Sequence, residues 1–366
     1  MLQRCLLILL LFCALSCKEE NDNPDNPEPV YFPPVNSDAW ETVTPESLGW
    51  NKAAIPALNQ LLEENGTRAF ILLKDGKIVM EEYFGKTLTG LKQFDKTSNW
   101  YWASAGKTLT AFTVGKAQED GFLKIQDKTS DYLGIGWTSE TASKESKITI
   151  WHQLTMTTGL DDGVANSHSL EAKDLIYKAD AGNRWAYHNG PYTLLENVVA
   201  KAANQDFDTY FKTKLADQIG MDGFWQWVDD DHVYFSTARS MARFGLLMLN
   251  KGDWKGTKIM TDRVYFNGMV STSQQLNKSY GYLWWLNGQE SFRIPESQME
   301  FKGSISPNAP ADMVSGMGKN GQYVSVVQSQ GIVMIRMGEN PESVQVPFLF
   351  LDDIWEKLSL IINYQK

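Results

Sequence analysis

The stretch Trp100-Tyr-Trp-Ala-Ser-Ala-Gly-Lys-Thr-Leu-Thr110 decides what this chain can fold into and do. It sets a hydroxyl, Ser104, three residues ahead of an amine, Lys107. On a helix, positions i and i+3 share a face, so the two groups can meet. A serine hydroxyl becomes a useful nucleophile only when a base takes its proton. A lysine one turn away can be that base if burial or nearby positive charge lowers its pKa. Alone the spacing is a weak signal, because about one or two Ser-x-x-Lys matches arise by chance in a chain of this length. The chain holds a single one, so its surroundings decide.

Upstream, residues 69–84 set two β-prone runs around Lys74-Asp75-Gly76-Lys77, which predicts a hairpin. Over residues 104–120, the apolar positions Leu109, Phe112 and Ala117 and the small residues Ala105, Ala111 and Gly115 predict a buried helix, stopped by Gly121. Helices are also predicted over residues 148–154, 190–203 and 237–250. Residues 322–327 and 332–337 read as an antiparallel hairpin turning at Gly331, and residues 348–364 as an amphipathic closing helix. Strands thus sit at both ends and helices between them. This predicts an α+β fold: a central antiparallel sheet built from the N- and C-terminal segments, flanked by helices, with a mostly helical region inserted at about residues 110–250.

Two more short elements follow the serine: Tyr187-His188-Asn189 and Lys319-Asn320-Gly321. Each has a bland double. Tyr265-Phe266-Asn267 lacks the aromatic lead-in and the following helix, and Lys74-Asp75-Gly76 precedes the serine and reads as a turn. The order and flanks of the three motifs resemble the serine β-lactamase and penicillin-binding protein superfamily. The nearest branch is that of class C β-lactamases, D-alanyl-D-alanine carboxypeptidases and related esterases. Residues 151–160, 240–249 and 280–285 are similar to that branch as well, so the resemblance spans about residues 45–365.

The resemblance implies a β-lactamase-like fold and a serine hydrolase that cleaves an ester or amide. Ser104 would attack a carbonyl and form an acyl-enzyme. Either Lys107 or Tyr187 would take its proton, with the Lys319 ammonium lowering the Lys107 pKa; Tyr187 would act as a phenolate-like base, which the two lysines favour, or as a relay to the leaving group. Asn189 would bind a substrate amide or hold Lys107. Lys319 and Gly321 would border the substrate, Gly321 by letting its strand come close. The resemblance assigns the oxyanion hole to the backbone amides of Ser104 and Gln322. Asn320 stands where threonine or serine is common, and the missing hydroxyl argues against a dedicated β-lactamase. The alternatives are a D-alanyl-D-alanine carboxypeptidase or β-lactamase and, in another class, a penicillin-binding-type sensor that is acylated without turnover.

Composition narrows the rest. With 34 basic and 44 acidic residues the net charge is −10, which disfavours nucleic acid as a partner. The three cysteines are Cys5, Cys13 and Cys17, so the remainder of the chain holds no disulfide, cysteine nucleophile or thiolate metal site. There is no Gly-x-Ser-x-Gly elbow. Of the four histidines, His152 reads as structural, His188 as pointing away from the serine, and His168 and His232 as lying in polar loops. Asp161-Asp162 near His168 reads as a solvated loop, so neither metal nor other cofactor is expected.

Residues 1–16, one arginine followed by an apolar run too short to span a bilayer, read as a secretory signal. The signal ends at Ala14-Leu15-Ser16-Cys17, which resembles a bacterial lipoprotein box with Cys17 as the lipidated residue. Residues 17–36 form an acidic, Pro- and Asn-rich tether, and residues 37–366 the hydrolase domain. The expected partners are a small-molecule or peptide substrate and, through the anchor, a membrane. The expected location is the bacterial cell envelope, periplasmic or on the surface.

Overall fold

Residues 69–73, Ala-Phe-Ile-Leu-Leu, are all fully buried. A strand that is apolar on both faces needs cover on both, and this requirement organises the domain. The chain, seen in a computed structural model that describes residues 30–339, 344 and 346–364, has helix α1 at Ile55–Glu64. Strands β1 (Thr67–Lys74) and β2 (Lys77–Tyr83) form the expected hairpin. Strand β3 (Trp100–Tyr101) leads into a 3-10 turn, Ala103–Gly106, and helix α2 (Lys107–Glu119). Then come α3 (Ile150–Leu154), α4 (Asn189–Ala203), β4 (Phe224–Val228), β5 (Asp231–Ser236) and α5 (Ala238–Leu249). Strands β6 (Trp285–Leu286), β7 (Val314–Gly318), β8 (Gln322–Val327) and β9 (Ile332–Gly338) precede the closing helix α6 (Phe348–Ile362).

The main sheet has the order β2-β1-β9-β8-β7-β6, with every neighbouring pair antiparallel. The β1–β9 pairing, with Phe70 opposite Arg336 and Leu72 opposite Met334, joins the N-terminal hairpin to the C-terminal strands. Successive side chains on a strand point to opposite faces. Val324, Val333 and Ile335 meet α5 at Gly245, whereas Tyr323 and Arg336 meet Phe350 of α6. Helix α5 therefore covers one face, and α1 and α6 cover the other. Each large apolar side chain so enclosed contributes about 1.5–3 kcal/mol.

The inserted region is mostly helical, as expected, and also carries β4 and β5, which with β3 just ahead of it form a three-stranded sheet. The alternating Phe224-Trp-Gln-Trp-Val and His232-Val-Tyr-Phe runs supply its strands. One expectation needs correcting: the domain starts before residue 37. The Tyr31 amide donates to Asp75 O at 2.9 Å, Phe32 is buried edge-on against Trp254, and Arg243 donates to Pro34 O at 2.9 Å. The end of the expected tether is thus part of the fold. The signal segment and Cys17 lie outside the described residues.

Candidate active site

The turn that carries Ser104 is held from both sides. Before it, the Trp102 amide donates to Tyr234 O at 2.8 Å, and the Trp102 indole donates to Ser236 Oγ at 2.8 Å, tying the turn to β5. Ala103 sits at φ 46°, left-handed backbone that costs an alanine about 1–2 kcal/mol. After the turn, α2 begins at Lys107, with Leu109, Ala111, Phe112 and Val114 fully buried. Ser104 is thereby presented at a cleft of about 430 Å³ that Lys107, Asn189 and Lys319 also line.

Lys107 Nζ lies 2.9 Å from Ser104 Oγ. It also sits 4.1 Å from the ring centre of Tyr192 and 5.0 Å from that of Tyr187. Burial pulls its ammonium down to about 7, against the opposing pull of the Asp231 and Glu196 carboxylates. Desolvation therefore does what was expected of the Lys319 charge.

Tyr187 is buried, stacked on Trp285 of β6 with ring centres 5.8 Å apart and edge-on to Tyr280. The segment Tyr280–Trp285 thus forms its aromatic wall. Burial pushes its phenol well above the usual range, a hydrogen bond with Ser104 lowers it only partly, and Asp231 raises it further. Of the two roles expected of Tyr187, these surroundings favour the protonated one.

Asn189 opens α4, and its Nδ2 lies 3.0 Å from His168 Nε2. It is thus engaged with His168 rather than holding Lys107, and its Oδ1 is buried without a hydrogen-bond partner. His168 Nδ1 in turn meets Asp231 at 2.7 Å. Burial would raise the Asp231 carboxyl, but hydrogen bonding with His168 and the charges of Lys107, His168 and Lys319 hold it below its usual value. His168 and His232, both expected in polar loops, border this same cleft, and His232 belongs to β5. His152 closes a capping box with Thr149, and burial pulls it down to about 4. Buried His188 is likewise drawn down to about 4, and it does not line the cleft. Tyr265 is buried elsewhere, donating to Ala111 O at 2.6 Å.

The third motif is a turn between β7 and β8. Asn320 at φ 63° and Gly321 at φ 74° adopt the left-handed pair of a type I′ turn, for which Asn-Gly is a favoured sequence. Asn320 Nδ2 donates to Tyr101 Oη at 2.6 Å, pinning the turn to β3. Exposed Lys319 lies at the cleft beside Asp231.

Gly321 does not provide the close approach expected of it, since a Cβ there would meet Arg336 Nη1 at 2.7 Å. Gly318 does. A Cβ on it would lie 2.6 Å from Trp102 O, 2.8 Å from Ala105 N and 3.0 Å from Ser104 N. Gln322, expected at the oxyanion hole, is fully buried in β8. Its side-chain Nε2 donates to Gly338 O at 2.7 Å and its Oε1 accepts from Gly338 N at 2.9 Å, whereas the role expected of it belonged to its backbone amide. The backbone beside the Ser104 amide is that of Gly318, and Lys319 follows it.

Arg336 was not legible as a site residue, although a cation inside the apolar run Ile332-Val-Met-Ile-Arg-Met is itself a signal. It is fully buried and donates to Gly321 O at 3.0 Å, Asn65 O at 2.8 Å, Glu339 O at 3.0 Å and Thr67 Oγ1 at 3.1 Å, and also to Asn320 O. Burial pulls it down to about 10, so it stays charged at neutral pH. Its loss orphans several buried carbonyls at about 1–3 kcal/mol each. Arg336→Met is expected to lower stability by about 3 kcal/mol or more in urea unfolding. A loss below about 1 kcal/mol contradicts this view of the turn.

Residues 58–343 match the family described as Beta-lactamase. The Bacillus subtilis (strain 168) protein named "Putative penicillin-binding protein PbpX" is 25% identical over 171 residues, 44% of this chain and 42% of that protein. The match therefore spans less than half the length of that relative. Among solved structures, "Putative 6-aminohexanoate-dimer hydrolase from Bacillus anthracis" superposes with a TM-score of 0.64 at 16% identity, covering 90% of this chain and 89% of that one. A penicillin binding protein from Bacillus halodurans superposes with a TM-score of 0.61 at 14% identity, covering 82% of this chain and 99% of that one. At such identities the superpositions speak to the fold.

Proposed function

Because the chain belongs to the Beta-lactamase family, we propose that it is a serine hydrolase cleaving an ester or amide bond through an acyl-enzyme on Ser104. The observation that carries this reading is the 2.9 Å contact between Ser104 Oγ and a buried lysine drawn down to about 7. At neutral pH much of that amine is uncharged and able to act as a base. Lys107 takes the serine proton as Oγ bonds to the substrate carbonyl carbon. The resulting oxyanion is held by the backbone amide of Ser104 and by that of Lys319, which follows Gly318 on the facing strand. Protonated Tyr187, hydrogen-bonded with Ser104, passes the proton from Lys107 to the leaving oxygen or nitrogen as the carbonyl–heteroatom bond breaks. Water then attacks the ester carbon with Lys107 again as base, the bond from that carbon to Ser104 Oγ breaks, Lys107 returns the proton to Oγ and the carboxylic acid leaves.

Esters and simple amides fit the cleft better than substrates read through a carboxylate. Lys319 could bind a carboxylate, but Asp231 lies beside it, and the Asn320 side chain is engaged with Tyr101. A D-alanyl-D-alanine carboxypeptidase or β-lactamase is the second reading, favoured by the Lys319 cation and by the names of the relatives. A panel of p-nitrophenyl esters, a chromogenic cephalosporin and D-alanyl-D-alanine peptides separates the two. Ester turnover without cephalosporin or peptide turnover is expected. Covalent labelling with no turnover of any member points instead to an acylated sensor.

We also propose that the chain is exported and lipidated at Cys17, supported by the Ala14-Leu15-Ser16-Cys17 box and the polar segment after it. In a bacterial host fed a radiolabelled fatty acid, the full-length protein is expected to take up label and Cys17→Ala to take up none. Equal incorporation in both rules out this anchor.

A further inference from the structure

A buried pair behind Lys107 has no part in the chemistry above. Helix α4 carries Asn189, Tyr192 and Glu196 at i, i+3 and i+7, so all three fall on one face. Asn189 and Tyr192 line the cleft, and Lys107 Nζ sits over the Tyr192 ring. One turn deeper, Glu196 interrupts the apolar run Tyr-Thr-Leu-Leu-Glu-Asn-Val-Val. Its side chain is 4% exposed. One carboxylate oxygen meets His232 Nδ1 at 2.7 Å, and the other, Oε1, has no hydrogen-bond partner. The His232 ring stacks on Trp227 with centres 4.4 Å apart, and its side chain is 7% exposed.

A buried carboxyl with one empty oxygen is costly, and an ion pair in its place is seldom a net gain in stability. The position invites a role other than holding α4 to β5. We propose that Glu196 and His232 are positioning residues that set the protonation of Lys107 from behind Tyr192, the carboxylate favouring the ammonium form and His232 opposing the protonation of that carboxylate. The proposal rests on the reading of Lys107 as the base for Ser104.

The charges around this device can be named element by element. Facing Lys107 are Asp231 of β5 and Glu196 of α4. Facing Glu196 are His232, Asp208 of the short helix Phe207–Phe211, and Lys107. Facing His232 are Glu196, Asp208 with Oδ1 3.8 Å from Nε2, and Asp206. Burial pushes the Glu196 carboxyl up to about 7, and His232 opposes that rise. Glu196 and Lys107 thus titrate in the same range.

The sign follows from charge. Glu196→Gln keeps the shape and a partner for His232 but removes the negative charge. Lys107 then loses its proton at lower pH, so the acid limb of serine reactivity moves down by roughly one pH unit. His232→Asn leaves Glu196 protonated and is expected to move the limb the same way. The double variant is expected to match Glu196→Gln, because both changes act through one charge.

The test is the pH dependence of the rate at which a fluorophosphonate labels Ser104, a reaction in which Oγ bonds to phosphorus, fluoride leaves and Lys107 takes the proton. Wild type, both single variants and the double variant are compared, with Ser104→Ala as control and a thermal melt for each. A merely structural pair lowers the melting temperature or the labelled fraction and leaves the limb in place, which overturns the proposal. Should Glu196→Gln fail to fold, His232→Asn reports the same charge. An unlabelled wild type, or equal labelling of Ser104→Ala, overturns the Ser104 reading itself and this inference with it.

Discussion

In the Ser104→Ala variant, turnover of every ester or amide that the wild-type chain hydrolyses is expected to fall by ~10⁴-fold or more, to whatever the remaining site achieves by binding alone. The physical reason is that no second hydroxyl replaces the one 2.9 Å from Lys107 Nζ. The alanine fits the space, and the change removes only the hydroxyl's hydrogen bonding to Lys107 and Tyr187 at the cleft, so stability should move by only about 1–2 kcal/mol. Steady-state kinetics alongside a melt therefore separate chemistry from folding. Retention of more than about a tenth of the activity in a folded variant means that another group is the nucleophile.

Lys107→Met is expected to cost about as much, ~10³-fold or more in kcat/KM, because base and nucleophile act as a unit. Lys107→Arg gives no rescue, since a guanidinium stays protonated and cannot accept the serine proton. In the wild type, the reactive form carries the neutral amine. As pH falls through about 7 the amine is protonated, and kcat/KM drops about tenfold for each further unit. Tyr187 adds no competing ionisation near neutrality, because burial holds its phenol protonated. Tyr187→Phe is therefore expected to lower kcat while leaving the acid limb where it is. A limb that persists near 7 in Lys107→Met would assign the ionisation to another group.

Much of the fold was legible because its signals are local. The Lys-Asp-Gly-Lys turn, the small-residue run into α2, and Gly331 between the last strands each dictate their own conformation. Periodicity placed α4, α5 and α6 to within a few residues. The three motifs were found because order along the chain survives folding. What stayed hidden depends on contacts made only in three dimensions. His232 read as a polar-loop residue, and Asp231 beside it carried no signal of its own, until β5 brings both to the cleft. Gly318 was passed over for Gly321, since nothing local shows which glycine meets the Ser104 turn. The Asn320-Gly321 dipeptide carried a readable type I′ signal, masked by its likeness to a substrate-binding motif. The base was likewise open: the residues admit either Lys107 or Tyr187, and burial, which acts oppositely on an amine and a phenol, is what supports proposing Lys107.

The most direct measurement is mass spectrometry of the intact protein trapped at low pH during turnover of a p-nitrophenyl ester, followed by peptide mapping. The expected result is one added acyl group on the peptide that contains Ser104, absent from Ser104→Ala. Turnover with no adduct, or an adduct on a different residue, contradicts an acyl-enzyme on Ser104.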